Sequence, residues 1–378
     1  MQLLRAPLSR RRALGLGLGL LPALALAGAP PPPALRAPLR GADGRPLPQT
    51  VAAAALLRPG APWVHARPTA TDPAALGRVA AGAQAWLARH PDDPAAQPGL
   101  LAAAGASPAR LRETLAAVAA LAAADAGADR PRLRDPAFVA DHFEALQLCP
   151  GAAGAPPRAG SDVQDGKLRI TRYLVRQLDG RPTPEGAFRC ALYADPGPGV
   201  RAAATRAEVL AGAWDRAGAQ PLVYLTEAGL YDALLQGTVE VRAPDGATAL
   251  YNVDQNNGHA YDPREKDPAR QRRYWSFRRV DAVLGYGPPG DKLPLEAGAV
   301  VAGDVMNLGL GALLALEADD GPRLVVLADT GGAFVGNLHQ LDYLGGAFPS
   351  HAALYAATAA LPQRTRVALL LWRGAPAG

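Results

Sequence analysis

The sequence predicts an α+β protein, mainly β, in which helices come first and strands follow. Three observations carry that expectation. Helix-start signals that pair a cap with proline stand in the first 142 residues, the apolar period then changes from helical to two, and short apolar runs bounded by glycine fill the C-terminal part. No strand–helix alternation of the kind that builds a doubly wound sheet is present, and no internal repeat is found.

The helices are marked by their caps. Asp72-Pro73 supplies an N-cap and a proline for the first turn, and Leu76, Val79, Ala83, Trp86 and Leu87 then fall on one face. Ser107-Pro108 repeats the signal ahead of Leu111, Leu115, Val118 and Leu121, and Asp135-Pro136 opens a third helix with Phe138 and Phe143. Gly151 to Gly160 reads as a loop. Beyond it, Leu168, Ile170 and Leu174 alternate with polar residues as a half-buried strand does. Thr238 to Arg242, a turn at Pro244-Asp245-Gly246, and Thr248 to Tyr251 form an expected hairpin. The runs Leu324 to Ala328 and Val367 to Leu371 are expected barrel strands.

Length and composition narrow the function. At 378 residues the chain has room for two domains. The net charge of +5 (39 Lys+Arg against 34 Asp+Glu) is scattered, with lysine only at Lys167, Lys266 and Lys292. No basic stripe with interleaved aromatics occurs, so nucleic acid is not an expected partner. The histidines do not pair at metal-ligand spacing, so no metal or cofactor is expected. Nor is there a phosphate loop or a Gly-x-Ser-x-Gly elbow.

Arg10-Arg11-Arg12, the apolar stretch Ala13 to Ala27 and the small residues Ala25-Leu26-Ala27 read as a signal peptide over residues 1–27, resembling a twin-arginine leader. A Pro/Ala-rich linker over 28–48 follows. The expected compartment is the periplasm, which permits a disulfide between Cys149 and Cys190; two unpaired thiols fit the spacing equally well.

Function is signalled by three aspartates in glycine-marked stretches. Asp304 ends Val300-Val301-Ala302-Gly303-Asp304. Asp329 follows the Leu324 to Ala328 run and precedes Thr330-Gly331-Gly332, whose glycines would let the backbone approach a ligand. Asp342 lies thirteen residues beyond it. Further fragments stand in a fixed order: Asp141-His142-Phe143, Ile170-Thr171-Arg172-Tyr173-Leu174, Ala191-Leu192-Tyr193, Thr205-Arg206-Ala207-Glu208, Gln236-Gly237-Thr238, Asn257-Gly258-His259-Ala260-Tyr261 and Tyr274-Trp275-Ser276-Phe277-Arg278.

Together these resemble the membrane-bound lytic murein transglycosylase A (MltA) family, whose C-terminal 3D domain takes its name from three aspartates. The resemblance runs from about Phe138 to Trp372. It implies a double-psi β-barrel domain over 49–169 and 266–374, with a second β domain inserted at 170–265 and a glycan groove between them. The implied activity is non-hydrolytic cleavage of the MurNAc-β-1,4-GlcNAc bond of peptidoglycan to 1,6-anhydro-MurNAc ends. By motif position Asp342 is the catalytic acid/base, with Asp329 and Asp304 in support. Tyr173, Gln236, Thr238, Asn257, Gly258, Tyr261, Gly331 and Gly332 are the implied substrate-binding residues. The implied partners are glycan strands and complexes of cell-wall synthesis or division.

The family's lipoprotein form is not expected, because no cysteine follows the leader. Val335 stands where the family has lysine, Arg172-Tyr173-Leu174 stands for Gly-Tyr-Tyr, and a loop at Asn337 to Gln340 is expected to be enlarged. The alternatives are a catalytically inactive peptidoglycan-binding protein on the same scaffold and an expansin-like barrel with other polysaccharide duty.

Overall fold

The computed structural model describes residues 52–153, 166–262 and 264–374. The leader and linker, and most of the loop expected at 151–160, lie outside the described residues. Among those described, no helix is long and apolar enough to cross a membrane.

The expected helices form where their caps stand. After strand β1 (Leu57–Pro59) come α1 (Pro73–Arg89), α2 (Pro108–Ala124) and the short α3 (Pro136–His142). Asp72 accepts from the amides of Ala74 and Ala75, Ser107 from Arg110 and Asp135 from Ala137, so each cap satisfies amides that the helix leaves free. Helices α1 and α2 approach so closely that a Cβ on Gly77 would lie 2.4 Å from the Cβ of Ala122. Phe143, expected on the third helix, instead opens strand β2 (Phe143–Leu148), where it is buried under Trp372. The pull of that tertiary contact outweighs the weak helical tendency of an aromatic residue.

The remaining strands assemble one large sheet and two small ones. β3 (Lys167–Asp179) is the longest. The chain then runs through β4 (Cys190–Tyr193), the short helices α4 (Pro198–Ala202), α5 (Arg206–Leu210) and α6 (Ala213–Arg216), then β5 (Pro221–Leu225) and α7 (Glu227–Gln236). The expected hairpin is β6 (Thr238–Arg242) against β7 (Thr248–Asn256), and β8 (Trp275–Val280) extends it. Next are β9 (Val283–Leu284), β10 (Pro294–Leu295), β11 (Val300–Ala302), α8 (Val305–Leu308), β12 (Leu313–Leu316), β13 (Arg323–Asp329), β14 (Gln340–Phe348), α9 (His351–Ala357) and β15 (Arg364–Trp372).

Six strands close a ring in the order β15-β12-β13-β11-β14-β3, because β15 pairs with β3 as well as with β12. The pairing is mixed. β11 with β13 and β14 with β3 are parallel, while β12 with β13 and β11 with β14 are antiparallel. This is the expected α+β, barrel-like architecture. Its strands β12, β13 and β15 are apolar at nearly every position because they have the barrel interior on one side and other elements, α1 and α2 among them, on the other. Full burial of each such leucine or valine contributes roughly 1.5–3 kcal/mol.

β3 also links two cores. Its first part lies in the ring, and its last residues, Arg176 to Asp179, pair with β6. The larger core takes in the ring strands and the N-terminal helices. A second core gathers Leu192, Trp214, Leu225, Leu230, Tyr274 and Phe277. Helices α4 to α7 pack against this second core beside its strands. Cys149 and Cys190 are both free thiols.

Candidate active site

The barrel's register creates the site. Ala302 on β11 pairs with Asp329 on one neighbouring strand and with Asp342 on the other. Two carboxylates thirteen residues apart in sequence are thereby set one on each side of a single residue. On the far flank of β14, Thr171 pairs with Asp342 and Tyr173 with Leu344. Tyr173 donates its hydroxyl hydrogen to Asp329 Oδ2 at 3.1 Å, and the Thr330 amide donates to Asp329 Oδ1 at 2.8 Å.

Asp304 has a different task. It caps α8, accepting from the Asn307 amide at 3.2 Å and from Asn307 Nδ2 at 2.8 Å, and it is 1 % exposed. Both of its oxygens are committed. Asp342 is the contrast, since its buried Oδ1 has no hydrogen-bond partner. A group left uncommitted in the interior is costly and points to a task beyond folding.

Burial raises all three carboxyl groups. The pKa of Asp342 is pushed up to about 6 by desolvation, against the pull of Thr171 and of the Arg169 charge. Asp329 also rises to about 6, chiefly by burial; its bonds from Thr330 and Tyr173 and the Lys292 charge hold it down, while Asp342 adds to the rise. Asp304 reaches about 6 by burial despite its Asn307 bonds. Desolvation is thus the first cause at all three carboxyl groups, and the like charge of Asp342 adds only a lesser rise at Asp329. A carboxyl with pKa near 6 keeps about a tenth of its proton at pH 7, enough to donate it and then take one back.

A cleft of about 210 Å³ opens beside Asp329. Tyr173, Gln236, Gly237, Thr238, Asn252, Gly285, Lys292, Thr330 and Leu344 are among the residues that line it; Asp342 is not. Gly285, Lys292, Asp329 and Thr330 also line an adjoining cavity of about 470 Å³ with His90, Asp93 and Tyr286. Within the cleft Thr238 Oγ1 accepts from Asn252 Nδ2 at 2.6 Å. Gln236 Nε2 lies 3.5 Å from His351 Nε2 on α9.

Five expected binding residues, Asn257, Gly258, Tyr261, Gly331 and Gly332, are not among those lining this cleft. Asn257 is buried and braces a turn: its Nδ2 donates to the carbonyls of Ala204 and Arg272, and its Oδ1 accepts from the Tyr274 amide. Gly258 follows with φ +79°, a turn conformation. Tyr261 is 45 % exposed over Arg273, in a separate hollow of about 240 Å³ that also takes Tyr231, Leu234 and Leu235 from α7. Gly331 and Gly332 form the turn after β13, where a Cβ on Gly332 would meet open space.

The loop expected to be enlarged is packed rather than free. Asn337, Leu338, His339 and Gln340 are all buried, and Gln340 already belongs to β14. Asn337 stabilises the turn by donating to the Ala333 carbonyl and accepting from the His339 amide.

Lys292 and Asn252 were missed by the motif reading. The Lys292 ammonium donates to Asn252 Oδ1 at 3.1 Å and to the Val253 carbonyl at 3.2 Å. One sequence signal was available, for Lys292 is one of only three lysines in an arginine-dominated chain. Among the described residues no group of His, Cys, Asp and Glu is placed to hold a metal ion.

No family model matches the chain, and no curated protein matches it by sequence. Solved structures do match. MltA from Neisseria gonorrhoeae is 16% identical with a TM-score of 0.53, covering 80% of this chain and 88% of that one. A membrane-bound lytic murein transglycosylase from Agrobacterium tumefaciens is 18% identical with a TM-score of 0.50, covering 73% of this chain and 87% of that one. The fold of this chain is therefore that of MltA-type lytic murein transglycosylases.

Proposed function

We propose that this chain, which has the MltA fold, is a lytic transglycosylase of that family. In this reading it cleaves the MurNAc-β-1,4-GlcNAc bond of peptidoglycan without water and leaves 1,6-anhydro-MurNAc ends. The observation that carries the reading is the buried, uncommitted carboxyl oxygen of Asp342, raised to a pKa of about 6 beside Tyr173 and Asp329.

One carboxyl group suffices for this reaction. Glycosidases that use water or an enzyme nucleophile need two, to activate the attacker and protonate the leaving oxygen. Here the attacker is the C6 hydroxyl of the same muramic acid, a tethered nucleophile whose effective molarity reaches about 10⁵ M or more. Protonated Asp342 donates to the glycosidic oxygen as the bond to C1 breaks. As carboxylate it then takes the C6 hydroxyl proton while that oxygen closes on C1. Asp329, ionised and held by Tyr173, stabilises positive charge at the sugar ring. Asp304 keeps the α8 turn in place.

In this reading Tyr173, Gln236 and Thr238 contact the glycan in the cleft, and Gly331 and Gly332 shape the turn that follows Asp329 and Thr330. Asn257 and Gly258 shape a turn, and Tyr261 offers a sugar-stacking face in the neighbouring hollow. The leader over residues 1–27 supports export to the periplasm, where the substrate lies.

Digestion of purified sacculi tests the proposal. Anhydro-muropeptides from the wild type and none from Asp342→Ala support it. Reducing-end products would mean hydrolysis by a second carboxylate. Sacculi bound but undigested would make the chain an inactive peptidoglycan-binding protein on the same scaffold.

A further inference from the structure

Lys292 stands where two hollows meet. With Gly285, Asp329 and Thr330 it lines both the cleft and the adjoining cavity. Its ammonium is held by two neutral acceptors, Asn252 Oδ1 and the Val253 carbonyl. An ammonium has three donors, so one remains.

Two carboxylates and one guanidinium lie around it. Asp329 and Asp254 favour its positive form without forming an ion pair with it among the described residues, and Arg278 opposes them. Arg278 sits opposite Asn252 in the β7–β8 ladder, and its buried Nε has no partner. Other cations meet carboxylates directly, as in Arg78–Glu296 and Arg89–Asp291, or spend their donors on backbone carbonyls, as buried Arg206 does with Pro268 and Arg273. A half-buried ammonium set against neutral acceptors costs solvation, and here it faces a cleft with one donor still to place. A ligand carrying negative charge would offset it. Tyr173, Gln236 and Thr238 add polar, uncharged groups to the wall and Asp329 adds a carboxylate, so Lys292 is the one cation among the residues that line the cleft.

We propose that Lys292 is a specificity-determining residue of the cleft and binds a carboxylate carried on the sugar strand. This rests on the glycan-cleaving reading above. A peptidoglycan strand has two sources of that carboxylate: the lactyl ether of muramic acid where the stem peptide has been removed, and the stem peptide itself where it remains. A strand whose carboxylates have been converted to methylamides has neither.

The test measures binding by calorimetry and initial rates for wild type, Lys292→Gln and Lys292→Arg. The ligands are peptide-free strands, the same strands as methylamides, and peptide-bearing strands. Wild type should bind a carboxylate-bearing strand about tenfold more tightly than the methylamide, as a charge-assisted hydrogen bond gives. Tighter binding of the peptide-free or of the peptide-bearing strand identifies the source. Lys292→Gln should bind charged and methylamide strands alike, and Lys292→Arg should restore the preference.

Equal binding of charged and neutral strands by wild type, or a preference that survives in Lys292→Gln, overturns the proposal. So does a shift of the pH profile common to all strands with the preference intact, which would place the role of Lys292 in the ionisation of Asp329. A carboxylate preference in a protein that releases no anhydro products would sink the lytic reading and leave the Lys292 site standing.

Discussion

Tyr173 donates a hydrogen bond to Asp329 from a strand 156 residues away in sequence. Burial and the carboxylates of Asp329 and Asp342 raise the tyrosine pKa well above its ordinary value, so the phenol stays a donor at every working pH. The bond therefore acts in one direction. It favours ionised Asp329 in a site where burial disfavours charge.

Loss of that bond should be visible in kinetics. Tyr173→Phe leaves Asp329 with one fewer donor, so its pKa rises and the ionised form is depleted near neutrality. The expected result is a fall in kcat of roughly 10- to 100-fold, with the acidic limb of the pH–rate profile displaced to higher pH. Release of anhydro-muropeptides measured across pH checks it; an unchanged profile would remove Asp329 from the reaction.

The reaction should have its optimum near pH 6. Protonated Asp342 is needed to start it, and that form declines about tenfold per pH unit above its pKa of about 6. Ionised Asp329 declines in the same way below about 6. Sacculus digestion between pH 4.5 and 8 should give a bell, whereas a rate still rising at pH 8 would contradict an acid with this pKa.

Asp342→Asn should be inactive by at least about a hundredfold yet more stable. Its folded-state pKa lies above the unfolded value, so the folded protein holds this proton more tightly. The charge is without cost below the unfolded value near 3.8, destabilises progressively as pH rises through 6, and above that costs about 3 kcal/mol. Unfolding midpoints should thus be higher for the variant at pH 7, and the gain should shrink to nothing between pH 6 and 4.

Asp304 should separate structure from chemistry. Asp304→Ala removes the cap of α8 and is expected to cost about 1–2 kcal/mol of stability. Asp304→Asn keeps an acceptor for the Asn307 amide and should recover most of that loss. Denaturant midpoints for the pair read the difference, and equal midpoints would contradict a capping role.

The cap signals Asp72-Pro73, Ser107-Pro108 and Asp135-Pro136 located three helices, because capping and proline geometry act within a few residues of chain. The run Leu324 to Ala328 and the hairpin about Pro244-Asp245-Gly246 were legible for the same reason. What local pattern determined was the presence and type of these elements, together with the three aspartates as a candidate site. Tertiary structure alone decided that Ala302 lies between Asp329 and Asp342, that Lys292 reaches the cleft lined by Asp329, and that Asn257 turns inward to brace a loop. Those outcomes depend on the register of strands far apart in sequence and on which side chain can be buried with its hydrogen bonds met. Both are properties of the closed barrel and its packing, not of any short stretch of chain.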